Sequence, residues 1–272
     1  FIDFLGEQAD EHYFLKTEDA SKGNYYDAGN HYDAGNHYDA DLLKKLDEIL
    51  PEADASSSSH YRYRKLFVVL HTYGSHFNYQ ERYPRSFAYF KPDSKSEAKP
   101  ENRQDLLNAY DNTIRYTDYI LHGIVERLQK WEKLQAKALA KTQAKTDGVY
   151  CQPTSAMLYT RDHGENIFDD DRRLFLHAAP KASDYELHVP FIIWTSEGFG
   201  KQYPDTWKAL QENRTKQVQT SLTAFHTMLG IGGIRTPYRL DKYSVASGKY
   251  HPARLLYLDD HDEAILQEDA KF

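Results

Sequence analysis

The chain has 272 residues, with 34 basic and 41 acidic side chains and a formal net charge of −7. That balance argues against a general nucleic-acid binder, and no run reaches the ~20 apolar residues that a membrane helix needs. A single cysteine, Cys151, excludes an internal disulfide framework and a cysteine-rich zinc module, while 40% hydrophobic residues suffice for a real core.

Phe1 to Gly6 reads as a short strand ending in a glycine turn. A polar stretch follows, in which Tyr26-Asp27-Ala28-Gly29-Asn30-His31 recurs as Tyr32-Asp33-Ala34-Gly35-Asn36-His37. Two copies of six residues are too short for a solenoid, and the Gly-Asn pairs read as turns on a solvated loop. Asp41 to Leu50 is a short helix stopped by Pro51, and Ser56 to Ser59 is a loop. Lys65 to Leu70 is a continuous apolar run of the kind shown by a buried parallel strand.

The period then changes. Leu107, Tyr110, Ile114, Thr117, Leu121, Ile124 and Leu128 recur in steps of three and four, which predicts one long helix from Arg103 to about Lys145. Ser155 to Thr160 and Val189 to Trp194 are two further apolar strands. Val218, Leu222, Phe225 and Leu229 mark another helix, closed by Gly230 and Gly232-Gly233. Strands alternating with helices predict an α/β fold with a mainly parallel central sheet flanked by helices on both faces. No composition break divides the chain, so residues 1–272 read as one domain.

Chemistry-bearing side chains gather where strands end. The first core strand runs into His71-Thr72-Tyr73-Gly74-Ser75-His76, and the second into Arg161-Asp162-His163-Gly164-Glu165-Asn166. In open α/β sheets, ligands bind beyond the carboxyl ends of the strands. Asp162 and His163 offer one oxygen and one nitrogen, a mix that suits zinc or manganese, and Gly164 permits a tight turn. His177 follows an apolar approach, and His188 precedes the third strand.

Several phrases together resemble the catalytic domain of bacterial phosphoethanolamine transferases, in the alkaline phosphatase/sulfatase superfamily. They are Val69 to His76, Glu81-Arg82-Tyr83-Pro84, Asn108 to Asp118, Leu158 to Asn166, Leu176-His177 and His188 to Trp194, spread over about residues 60 to 235. The resemblance implies an alkaline-phosphatase/sulfatase-like fold. It makes Asp162 and His163 ligands of a tightly held zinc, with manganese as the other candidate. His76 and His177 become catalytic groups that contact the transferred phosphoryl group or a second metal. Glu165, His71 and His188 become second-shell residues, and Asp111, Asn112 and Asp118 belong to helix packing.

The implied reaction takes phosphoethanolamine from a phospholipid donor to a lipid A or glycan acceptor, at the periplasmic face of the inner membrane. It proceeds through a phospho-threonine. The family's metal-binding Glu and nucleophilic Thr have no matching phrase here, so the nucleophile is unknown. The chain is therefore expected to be the carboxyl-terminal part of a larger catalytic domain, held to the membrane by an amino-terminal anchor domain. One cysteine cannot form the family's disulfides, and Asp169 to Arg173 lengthens the link to the Leu-His phrase. A sulfatase or phosphodiesterase is the nearest alternative, although Cys151-Gln152-Pro153-Thr154 lacks the Arg of a sulfatase motif. The other is a non-catalytic binding domain.

Overall fold

The computed structural model describes residues 9–13, 38–50, 65–143, 152–177, 182–258 and 263–266. The strand read at Phe1 to Gly6, the tandem repeat, the Ser56 to Ser59 loop and Cys151 lie outside them. The chain divides into two compact units, Phe1–Pro51 with Ser59–Glu97 and Gln104–Ile124, and Glu52–Ser58 with Ala98–Arg103 and Val125–Phe272. None of the described helices is long and apolar enough to cross a membrane.

In the first unit, α1 (Asp41–Ile49) buries Leu43 and Leu46, three residues apart on one helical face. Lys65 to Leu70 forms no ladder, and Phe67 and Val69 are 69% and 74% exposed. The apolar run that predicted a buried strand lacks, among the described residues, the neighbouring strand that such a run needs for its backbone groups.

Helix α2 (Arg103–Gln143) is the predicted long helix, entered through a short 3-10 turn with Pro100 at its start. Its period is as expected, but the buried face is rotated. Leu106, Ala109, Asn112, Thr113, Tyr116 and Ile120 are buried together with Thr117 and Ile124 of the predicted stripe, while Ile114 of that stripe is 46% exposed. The reason is the irregular segment from Tyr83 to Lys95, whose backbone groups have no ladder and use helix side chains instead. Asn112 Oδ1 accepts from the amides of Tyr89 and Phe90, each at 2.9 Å, and Asn112 Nδ2 donates to Phe90 O at 3.0 Å. One turn earlier, Asn108 Nδ2 donates to Pro92 O at 2.7 Å. Asp105 Oδ1 accepts from the amides of Ser94 and Lys95, each at 3.1 Å. Polar residues therefore own the helix face that faces the loop.

In the second unit, β1 (Ala156–Thr160) pairs with β4 (Phe191–Thr195). The pairing is antiparallel, with Ala156 against Thr195 and Thr160 against Phe191, and all three ladders among the described residues are antiparallel. A parallel pair needs a crossover, usually a helix. Between β1 and β4 the chain instead forms a hairpin, β2 (Asn166–Ile167) with β3 (Phe175–Leu176), and a four-residue helix, α3 (Asp184–Leu187).

Ala156, Phe191 and Ile193 pack on a core of Phe199, Leu210, Val245, Ala246 and Tyr250. Ile192, pointing the other way, is 45% exposed, the alternation of a half-buried strand. Helices α4 (Glu197–Gln202), α5 (Pro204–Asn213) and α6 (Thr220–Ile231) complete the unit, with β5 (Leu256–Leu258) and β6 (Ala264–Leu266) as a last hairpin. Helix α6 repeats the rotation of α2. Thr223, His226, Thr227 and Gly230 are buried, while Phe225 is exposed. Thr227 Oγ1 accepts from Val245 N at 3.1 Å, and His226 Nδ1 accepts from Leu240 N at 3.2 Å.

Asn112→Ala leaves two amides and one carbonyl of the docked segment without partners. It is expected to cost about 2–4 kcal/mol, read by urea unfolding. A loss below about 0.5 kcal/mol, the range of a neutral surface change, would contradict this account of the rotated face.

Candidate metal centre

The site is built by hairpin arithmetic. The β2–β3 register sets Asn166 against Leu176 and Ile167 against Phe175. One step further along, the same register puts Glu165 across from His177. Side chains alternate along an extended chain, so His163 lies on the side of Glu165. The coordinates follow this logic. Glu165 Oε1 is 3.3 Å from His177 Nδ1, and the rings of His163 and His177 lie 3.7 Å apart, tilted by 32°. One ligand atom from each of His163, Glu165 and His177 falls within 4.8 Å of the other two.

Buried polar contacts hold this corner. Asn166 Nδ2 donates to Leu176 O at 2.9 Å and to Glu186 Oε1 at 2.5 Å, and Asn166 Oδ1 accepts from Ser183 Oγ at 2.5 Å. Ser183 and Glu186 form a capping box at the start of α3. Gly164 N donates to Glu186 O at 2.7 Å, and a Cβ at Gly164 would stand 2.0 Å from Tyr185 O. Only glycine allows that approach. From the start of α2, Arg103 reaches the hairpin loop, with Nε on Phe168 O at 2.9 Å and its guanidinium 2.9 Å from Asp169.

The group suits a cation. His163 Nδ1 faces Gly164 O at 2.8 Å, so in the neutral ring that nitrogen carries the proton and Nε2 keeps its lone pair. Glu165 is buried, and His177 Nδ1 is buried with no hydrogen bond. A buried carboxylate beside an orphaned imidazole nitrogen is a donor set that a divalent metal satisfies. Two imidazoles and one carboxylate fit zinc or manganese.

The sequence-predicted residues are only partly brought together. His163 and His177 meet. Asp162 stands beside them, with Oδ2 3.7 Å from His163 Nε2, but its side chain is 89% exposed and its Oδ1 accepts from His163 N. Glu165, read as an outer residue, occupies the inner position, because alternation assigns it the face of His163. His71 and His188 are exposed, and neither joins the group. His188 ends α3, where its amide donates to Asp184 O at 2.9 Å. His76 belongs to the first unit, on a turn after Leu70. Its Nδ1 lies 2.5 Å from Phe77 O, which leaves Nε2 as the open nitrogen.

Comparison with known proteins agrees with this architecture. The sulfatase family pattern matches residues 3–136, a span that includes His76 and ends before the metal-ready group. Phosphoethanolamine transferase EptA of Salmonella typhimurium is 31% identical over 193 residues, covering 70% of this chain and 31% of that protein. The Kdo(2)-lipid A phosphoethanolamine 7''-transferase of Escherichia coli K12 is 28% identical over 178 residues, 64% of this chain and 27% of that protein. The chain thus spans under a third of the length of these relatives. The crystal structure of the C-terminal periplasmic domain of phosphoethanolamine transferase EptC from Campylobacter jejuni superposes with a TM-score of 0.59 at 25% identity. That match covers 87% of this chain and 66% of the other. The zinc complex of the corresponding EcEptC domain from Escherichia coli gives a TM-score of 0.64 at 18% identity, over 89% of this chain and 60% of that one.

The fold is therefore α/β and alkaline-phosphatase/sulfatase-like. The chain is a sulfatase-family domain whose relatives are bacterial phosphoethanolamine transferases.

Zinc titrated into the chain is expected to bind, and Glu165→Gln and His177→Ala are each expected to weaken it by about tenfold or more. Asp162→Asn should change affinity less than either. Calorimetry that shows Asp162→Asn as the most damaging of the three would contradict this grouping. Gly164→Ala forces the Tyr185 backbone aside and is expected to lower stability by about 1–3 kcal/mol in thermal melts.

Proposed function

We propose that this chain is the carboxyl-terminal part of a single catalytic domain that transfers phosphoethanolamine from a phospholipid to a lipid A or glycan acceptor. The convergence of His163, Glu165 and His177 on one half-buried corner carries the reading. The relationship to phosphoethanolamine transferases over 70% of the chain supports it. The work is done at the periplasmic face of the bacterial inner membrane, to which an anchor domain outside this sequence ties it. Nucleic acid has no part in it.

His163, Glu165 and His177 would hold the metal, zinc by preference and manganese otherwise. When bound, it supplies positive charge that offsets the charge on a phosphoryl oxygen and lowers the pKa of a hydroxyl nucleophile. That nucleophile is a threonine contributed by sequence outside this chain, and it carries the phosphoethanolamine between donor and acceptor. Glu165 adds negative charge at the corner, which favours retention of a divalent ion. The Nδ1–H of His163, donating to Gly164 O, keeps Nε2 aimed as a ligand.

His76 acts on the substrate. Its Nδ1 is tied to Phe77 O, so exchange with substrate falls to Nε2. In the neutral ring Nε2 accepts the proton of the attacking hydroxyl, and in the protonated ring it donates to a phosphoryl oxygen. The Asn166, Ser183 and Glu186 network keeps the corner in shape while substrates exchange.

In the full-length protein, His163→Ala is expected to abolish metal retention. His76→Ala is expected to slow transfer by about a hundredfold or more with metal still bound. Elemental analysis alongside transfer from a fluorescent phosphatidylethanolamine checks both. Full metal occupancy in His163→Ala would end the metal assignment, and full transfer by His76→Ala would end the role given to His76.

A further inference from the structure

The turn that presents His76 is held from outside itself. His76 N donates to Tyr73 O at 3.3 Å and closes the turn, with Gly74 at a φ of 59°. A positive φ at the first corner is the mark of a type II′ turn. That closure leaves the amides of Tyr73 and Gly74 unused. One carboxylate takes both: Tyr73 N donates to Asp39 Oδ1 at 2.9 Å, and Gly74 N to Asp39 Oδ2 at 2.8 Å, across 34 and 35 residues of sequence. Two adjacent amides on the two oxygens of one carboxylate form a charge-assisted fork with little rotational freedom. On α2, the Thr113 hydroxyl donates to Ser75 Oγ, in the middle of the same turn. The Tyr73 ring meets the His76 ring edge-on at 5.9 Å and lies under the Arg82 guanidinium at 4.4 Å.

Burial pushes the Asp39 carboxyl up from its ordinary range, while the two amides and the nearby charges of Arg82 and His71 pull it down. The amides thus offset part of the cost of burying a carboxylate directly before α1. Nothing in the local geometry of α1 asks for this, since its first residue after the turn, Asp41, already supplies a carboxylate to the first helical turn.

We infer that Asp39 is a positioning residue for His76, its carboxylate fixing the Tyr73–His76 turn so that the imidazole is set before substrate arrives. The inference rests on the reading that His76 meets the transferred phosphoryl group. A preset group contributes to rate through orientation, not through ground-state affinity.

Two measurements test it. In the wild-type chain, hydrogen exchange followed by NMR is expected to show the Tyr73 and Gly74 amides protected, and in Asp39→Asn to show them exchanging about tenfold faster or more. Exchange of the wild-type amides at the rate of open backbone would overturn the inference without any variant. In full-length protein, Asp39→Asn is expected to lower kcat by about ten- to a hundredfold, with KM for the phospholipid donor within about twofold. In a His76→Ala background it should add no further loss. A wild-type kcat in Asp39→Asn, with His76→Ala inactive, overturns the inference alone. A fully active His76→Ala overturns the functional reading of His76 and the inference with it.

Discussion

The metal centre proposed for this molecule depends on the antiparallel register of one very short hairpin. With two paired residues on each strand, β2 and β3 fix which side chains oppose each other at the open end. A slip of one residue would exchange the faces, take Glu165 away from His177 and bring Gly164 or Asn166 forward instead. A ladder this short cannot hold its register by itself. The register is held by side chains: Asn166 is tied to Leu176, Glu186 and Ser183, the hairpin loop is tied to Arg103, and Gly164 is pressed against the Tyr185 carbonyl. The carboxamide does the work that further ladder rungs do in a longer hairpin.

The same economy recurs in the first unit. Asn112, Asn108 and Asp105 on α2 hold a segment without regular structure, and Asp39 holds the turn that carries His76. In each case a short polar side chain satisfies backbone groups that have no strand partner, which removes the cost of burying them unpaired. The chemistry-bearing histidines thus sit on segments of irregular backbone made rigid from neighbouring elements, an arrangement suited to groups that must be aimed.

Those devices also mark what could be read from the residues alone. The long helix was legible from its period, and so were the strands at Ala156–Thr160 and Phe191–Thr195, because period and apolar composition are local properties. The buried face of α2 was not, since apolar character ranked Ile114 above Asn112, whereas the neighbouring segment demands hydrogen bonds. The antiparallel pairing of β1 with β4 was hidden for a related reason. A hairpin of two-residue strands leaves almost no periodic trace, so the connection between them read as a link and not as a reversal.

At the site, His163 and His177 were legible as chemistry, and the phrases around them pointed to the right family. The placing of Glu165 beside His177 was not, although its cause is the simplest rule of extended chains. Residues two apart share a face, so His163 keeps company with Glu165, while Asp162, 3.7 Å from His163 Nε2, keeps an exposed side chain. The clamp at Asp39 had no sequence signal, because 34 residues separate it from the turn it holds.

X-ray absorption at the zinc edge tests the central claim most directly, on the chain loaded with one equivalent of zinc. The register of the hairpin predicts two imidazole nitrogens and at least one carboxylate oxygen around the ion, with one imidazole lost in His177→Ala. A first shell with a single imidazole, unchanged by that substitution, would return the metal to Asp162 and His163 and contradict the account.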